Sequence, residues 1–207
     1  NMTDKELLEA VLTMSLCKND GKEIADNLMS EYGSIKNMFF LSPNQLLKTD
    51  KVDENTAVYL SLMRHIKAKS ELDKNENIKT FTDTDRIIEF AKNMLFAQAE
   101  ERVILVTLDE DKRLINADYI SQGNANSASV MPSDVSRRII DEKPRYAFAA
   151  HNLLTDTCVA SFSDINFTVN LSNWLGQFGI ALIDHIIVSK NTAASMAEDE
   201  EYSFIFN

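Results

Sequence analysis

The chain has 207 residues, 44% of them hydrophobic, only two cysteines, Cys17 and Cys158, and a formal net charge of -11. That is enough apolar material for one large or two small cores, and two cysteines exclude a disulfide-built fold. The acid excess runs through both parts, 10 basic against 13 acidic side chains over 1–77 and 11 against 19 over 78–207. Broad nucleic-acid affinity needs Lys and Arg to neutralise phosphates, so this balance argues against it.

No run approaches the roughly eighteen apolar residues of a membrane span, and the amino terminus lacks the basic and then apolar layout of a secretory signal. A soluble protein of the reducing cytoplasm is expected, with no membrane partner.

In chain order, Leu7, Leu8, Val11 and Leu12 recur at helical spacing behind Thr3, which predicts a capped helix over 3–15. Ile24, Ala25 and Leu28 repeat the pattern over 21–32, and Gly33 ends it. Further helices are expected at 43–48 and 54–70, fading into the polar stretch 70–77. A helix over 82–95 comes next, then a hairpin of strands over 101–109 and 112–121, and a helix over 132–142. A strand over 145–151, a helix over 164–177 and a strand over 182–188 follow. Tyr202, Phe204 and Phe206 alternate behind an acidic run, which predicts a closing strand. The basic clusters Arg64, Lys67, Lys69 and Arg137-Arg138 read as helix surface.

The chemistry concentrates at His151-Asn152-Leu153, with Ser161 and Asp164 downstream. Residues 145–151 form an apolar strand, where positions i and i+2 share a face, so His151 and position 153 point the same way. Two histidines so spaced and a carboxylate could hold zinc and leave a position for water. Position 153 is a leucine, which has no lone pair to donate. Cys158, in the loop between His151 and Asp164, is the candidate substitute ligand, against its reading as a small buried hydrophobe. His185, among apolar neighbours, reads as a hydrogen-bonded core residue, and His65 as surface or packing.

Around this segment, Glu101-Arg102-Val103-Ile104-Leu105-Val106-Thr107-Leu108-Asp109, then Gly123, Ala128-Ser129-Val130, Pro132, Val135 and Arg137-Arg138 follow a recognisable order. It continues through His151, Asp164-Ile165, Thr168, Leu171 and Gly179-Ile180-Ala181-Leu182-Ile183-Asp184-His185-Ile186-Ile187-Val188. In order and spacing these residues resemble the bacterial RadC family of the JAB/MPN metalloprotease-like superfamily. Its motif is a glutamate, H-x-H, seven residues and S-x-x-D. Glu101, His151, Ser161 and Asp164 match it; Leu153 replaces the second histidine, and Leu154-Thr155-Asp156 replaces the usual Pro-Ser-Gly.

The resemblance implies an α+β fold, a JAB/MPN (cytidine-deaminase-like) mixed sheet flanked by helices and preceded by a small all-α domain. The expected divisions are a helix-hairpin-helix-like domain over 1–70, a linker over 71–80 and the JAB/MPN domain over 81–207. It also implies His151 and Asp164 as zinc ligands, Glu101 as general base and Ser161 as stabiliser of a tetrahedral intermediate. With Leu153 in place the chain is expected to hold no cofactor, with zinc the candidate if another ligand fills the gap.

The amino-terminal part resembles RadC proteins through Thr3-Asp4-Lys5-Glu6-Leu7-Leu8, Gly21, Ile24-Ala25, Leu28 and Tyr32-Gly33-Ser34. In that family a helix-hairpin-helix offers glycine N-H groups to phosphate. The matching stretch here, Asp50-Lys51-Val52-Asp53-Glu54, has no glycine and carries two acids where phosphate would sit. The expected function is therefore a non-catalytic scaffold that binds a protein or peptide partner. The alternatives are a zinc hydrolase of peptide or isopeptide bonds with a substitute ligand, and a DNA-associated factor acting through the amino-terminal domain.

Overall fold

A computed structural model of the chain describes residues 2–75, 78–96, 98–120 and 143–206. The chain divides into two compact units, 1–70 and 71–207. The helix expected over 132–142 and the Arg137-Arg138 pair lie outside the described residues.

In the first unit, α1 (Asp4–Ala10) starts at Thr3, whose hydroxyl accepts from the Glu6 N-H while the Glu6 carboxylate accepts from the Thr3 N-H. The chain continues as a π-helical stretch, Val11–Ser15. Next, α2 (Gly21–Tyr32) ends at Gly33, whose φ of 76° suits a residue without a Cβ. Two short helices, α3 (Ile35–Met38) and α4 (Pro43–Leu46), lead to α5 (Glu54–Lys74), which runs past the expected end at 70. Leu8, Leu12, Ile24, Ala25, Leu28, Met38, Leu46, Val52 and Ala57 form the core of this unit. Gly21 permits the close approach of α2 to the π-helical stretch, since a Cβ there would lie 2.5 Å from Thr13 Oγ1.

The basic cluster on α5 is surface at Lys67 and Lys69 but not at Arg64. Arg64 is buried, not surface, and its guanidinium donates to the Leu41 carbonyl at 3.2 Å and to Ser61 Oγ at 3.3 Å. The helix periodicity turns this long side chain inward, where the Leu41 carbonyl accepts from it. His65 is exposed, as expected.

The second unit is built on a five-stranded mixed sheet in the order β2-β1-β3-β4-β5. Its strands are β1 (Val103–Leu108), β2 (Leu114–Tyr119), β3 (Tyr146–Asn152), β4 (Ala181–Val188) and β5 (Ala193–Ser195). The β1 strand is antiparallel to β2 and β3, β3 is parallel to β4, and β4 is antiparallel to β5. All six residues of β1 are buried, as a continuous apolar run requires when both sheet faces are covered.

On one face, α6 (Thr84–Met94) packs Ile87, Phe90 and Ala91 against Ile104, Val106, Leu108, Phe148, Ala150, Ile186 and Val188. On the other, α7 (Phe162–Gly176) packs Phe167, Leu171 and Leu175 against Val103, Leu105, Ala147, Ala149 and Leu182. Asn75, within the stretch expected as a linker, is buried; its amide donates to the Phe90 carbonyl and its Oδ1 accepts from Asn93.

The closing strand expected at 202–206 does not form. Asp199 accepts the Glu201 N-H on its side chain and the Ser203 N-H on its carbonyl, and the chain enters a 3-10 turn, Ser203–Phe206. That local turn chemistry outweighs alternation over so short a stretch. Ser172 of α7 donates to the Ile205 carbonyl and ties the turn down.

Candidate metal centre

The β3 strand carries His151 as its penultimate residue, on the face that α7 covers. There His151 is 3% exposed and Asp164 is 4% exposed, with His151 Nε2 and Asp164 Oδ1 3.4 Å apart. Asp164 is aimed by the helix start. Ser161 is the N-cap of α7, its hydroxyl accepting from the Asp164 N-H at 3.2 Å. Asp164 Oδ2 in turn accepts from the Ser161 N-H at 2.8 Å and from the Ser161 hydroxyl at 2.6 Å. The S-x-x-D spacing is thus a capping box that occupies one carboxylate oxygen and turns the other toward His151.

Glu101 lies just ahead of β1. Burial raises its pKa first, and the negative charge of Asp164 adds to that. Its backbone is clamped by Asn152, which sequence reasoning passed over. Asn152 Oδ1 accepts from the Arg102 N-H at 2.8 Å and its Nδ2 donates to the Glu100 carbonyl at 3.0 Å, gripping the chain on both sides of Glu101. An asparagine closing the buried strand directly after His151 was the available signal.

His185 is fully buried and hydrogen-bonded, in keeping with a core residue, but its partners make it part of this centre. Its Nε2 is 2.9 Å from His151 Nδ1, and its Nδ1 is 2.6 Å from Thr168 Oγ1. Thr168 also donates to the Asp164 carbonyl at 2.6 Å. Asp164, Thr168, Leu171 and Leu175 share one helical stripe, and a threonine one turn after Asp164 on that stripe was the available signal. Burial lowers the pKa of His151, opposed by Asp164, and burial together with the neighbouring His151 lowers that of His185 well below the ordinary histidine range.

The remaining residues test the fit of a metal. Zinc at roughly 2.0 to 2.1 Å from two tetrahedrally placed donors sets them roughly 3.3 to 3.4 Å apart, so the His151 to Asp164 separation suits two corners. His151 Nε2 is also a buried nitrogen with no hydrogen-bond partner. The third corner fails. Leu153 packs into an apolar cluster with Ile187, Met196 and Ile205, and Cys158 joins that cluster while its thiol donates to the Thr192 carbonyl at 3.2 Å. Among the described residues no three His, Cys, Asp or Glu side chains converge as a metal-binding group. Among the described residues the donor set does not complete a three-ligand zinc site.

A mixed sheet between helices, with a strand-borne histidine facing a carboxylate in the first turn of the crossover helix, defines a JAB-type domain. Residues 81–202 match the RadC-like JAB domain family, and the chain belongs to that family. It is similar to a UPF0758 protein of Fusobacterium nucleatum, 28% identical over 94% of this chain and 87% of the relative. UPF0758 proteins of Shewanella piezotolerans and of Shewanella sp. strain W3-18-1 are 25% and 24% identical, each over 95% of this chain and 88% of the relative. Among the described residues no helix is long and apolar enough to cross a membrane.

Proposed function

We propose that this chain is a RadC-type JAB scaffold whose metal site has been reduced to two donors, and that it works by binding a protein or peptide. The observation that carries this reading is the occupant of the third corner. Leu153 is bound into the cluster of Ile187, Met196 and Ile205, so hydrocarbon packing has taken over where a ligand would act. Two exposed apolar side chains stand beside the centre. Val159 is 70% and Phe162 is 78% exposed, on either side of Ser161, and an exposed aromatic of this kind is the anchor that protein interfaces use.

A zinc hydrolase would need a donor from elsewhere. Both ring nitrogens of His185 are engaged and the Cys158 thiol faces the Thr192 carbonyl, which weighs against either as that donor. Phosphate binding at residues 50–54 is opposed by pairing within the unit: Lys51 contacts Glu23 at 2.6 Å, and Lys18 pairs with Asp53. Lys51 holds φ 63° at the turn, the backbone shape a glycine hairpin would take, but with a charged side chain already engaged.

Metal content tests the reading. Elemental mass spectrometry on untagged protein purified without chelator is expected to give zinc far below one equivalent, with Leu153→His rising toward one equivalent. Near-stoichiometric zinc in the unaltered protein would overturn the proposal and redirect the search to a hydrolase.

A further inference from the structure

We infer that the outer face of α5 is a self-association surface, on which two copies of this chain pair antiparallel about a two-fold axis at Leu62. The helix has its polarity inverted. Toward the amino-terminal core it sends Ala57 and Leu60, and beside them it buries three polar side chains, Thr56, Ser61 and Arg64. Away from that core it presents Val58, Leu62 and Ile66, each more than half exposed, with Met63 at their side. A helix at the surface of a lone unit ordinarily turns its apolar stripe inward and its charges outward. Here an apolar row at four-residue steps faces solvent over about two turns, and removing it from water is favourable.

The face is also shaped. A shallow hollow lined by Leu16, Val58, Tyr59 and Leu62 opens between residues 16–18 and the first half of α5. A second α5 laid antiparallel sets Leu62 against Leu62 of the partner subunit, and Ile66 of the partner subunit beside Val58, next to that hollow. The two-fold axis repeats the contact at the other end. Charge selects a second copy as the occupant and antiparallel as its direction. Glu54 begins α5 and Lys69 stands near its far end, both exposed and each about one turn beyond the apolar row. In the antiparallel pair Glu54 faces Lys69 of the partner subunit, twice over; in a parallel pair Glu54 would face its own copy and Lys69 likewise. The face thus complements itself in hydrocarbon and in charge, as an isologous contact requires. An anionic lipid surface fits it less well, because the chain carries a formal net charge of -11.

Three exposed aliphatic side chains and a shallow hollow make a patch of a few hundred Å2, short of the roughly 1,200 Å2 in total at which standard interfaces begin, so the pair is a weak and reversible one. The surface lies wholly in the amino-terminal unit. Its test can therefore succeed or fail apart from the scaffold reading of the His151 centre.

Sedimentation velocity of the full chain at physiological ionic strength, over roughly 5 to 200 μM, reads the association of an interface of this size. A reversible dimer is expected. Leu62→Asp should raise its dissociation constant at least about tenfold while helix content by circular dichroism stays unchanged, since Leu62 is exposed. Glu54→Lys alone and Lys69→Glu alone should each weaken the dimer, and the two together should restore it, because the reversed charges again meet across the axis. A monomer at every concentration would overturn the inference. So would a dimer indifferent to Leu62→Asp, or a double reversal no tighter than the single ones.

Discussion

Asn152 separates support from chemistry at the level of single residues. It contributes no reacting group, yet its amide fills the hydrogen-bonding needs of Arg102 N-H and Glu100 C=O and thereby fixes the backbone from which Glu101 projects. Asn152→Ala removes two part-buried hydrogen bonds, which costs about 0.5–1.5 kcal/mol each. Denaturant unfolding of the full chain should show that loss, and a change below about 0.5 kcal/mol would mean water replaces the clamp. His151, Ser161 and Asp164 were legible in the sequence because their spacing survives in a motif. The clamp was not, because residues 100–102 and 152 meet only through the antiparallel register of β1 and β3, in which Val103 faces His151. The His185 contact was hidden for a similar reason, since parallel pairing brings β4 beside β3 across the whole of α7.

Element boundaries divide by whether their cause is local. The start of α1 at Thr3 and the end of α2 at Gly33 follow from single caps and were readable, whereas β5 is three residues long and exists only because β4 offers it an edge. The start of α5 carries a consequence for acid stability. Asp53 accepts from the Thr56 N-H at 2.9 Å at the first turn of this helix, and it pairs with Lys18. Hydrogen bonding from Lys18, followed by that from Thr56, holds its carboxyl well below the ordinary range. A carboxylate with a folded pKa below its unfolded value stabilises the fold fully above the unfolded pKa of about 3.9 and loses that contribution as pH falls toward the folded value. Between roughly pH 5 and pH 2 the amino-terminal unit should therefore weaken, with Asp53→Asn flattening that slope and lowering stability at neutral pH. Acid titrations of the two proteins followed by amide exchange over residues 1–70 would decide; equal slopes would assign the acid response to other carboxylates.

Across the whole chain, the apolar residues sort into cores that belong to one unit or the other. Leu8, Leu12, Ile24 and Leu28 close the amino-terminal core, while the sheet has its own layers against α6 and α7. The sequence indicated the two kinds of architecture because helical periodicity fills 3–70 and strands begin only after 100, although α5 carries helix on to Lys74. Separate cores predict separate stabilities. Leu28 is fully buried, and Leu28→Ala should cost about 2–5 kcal/mol through lost burial and the cavity left behind. A unit of this length is worth roughly 4–10 kcal/mol in total, so the substitution removes a large share of it. Hydrogen exchange on the full chain should then show protection falling over α1, α2 and the first turns of α5 while β1, β3 and β4 keep theirs. A matching loss of protection at β3 would mean that α5 transmits the strain and that the His151 centre depends on the amino-terminal core; preserved protection would mean that the centre is carried by the sheet and α7 alone.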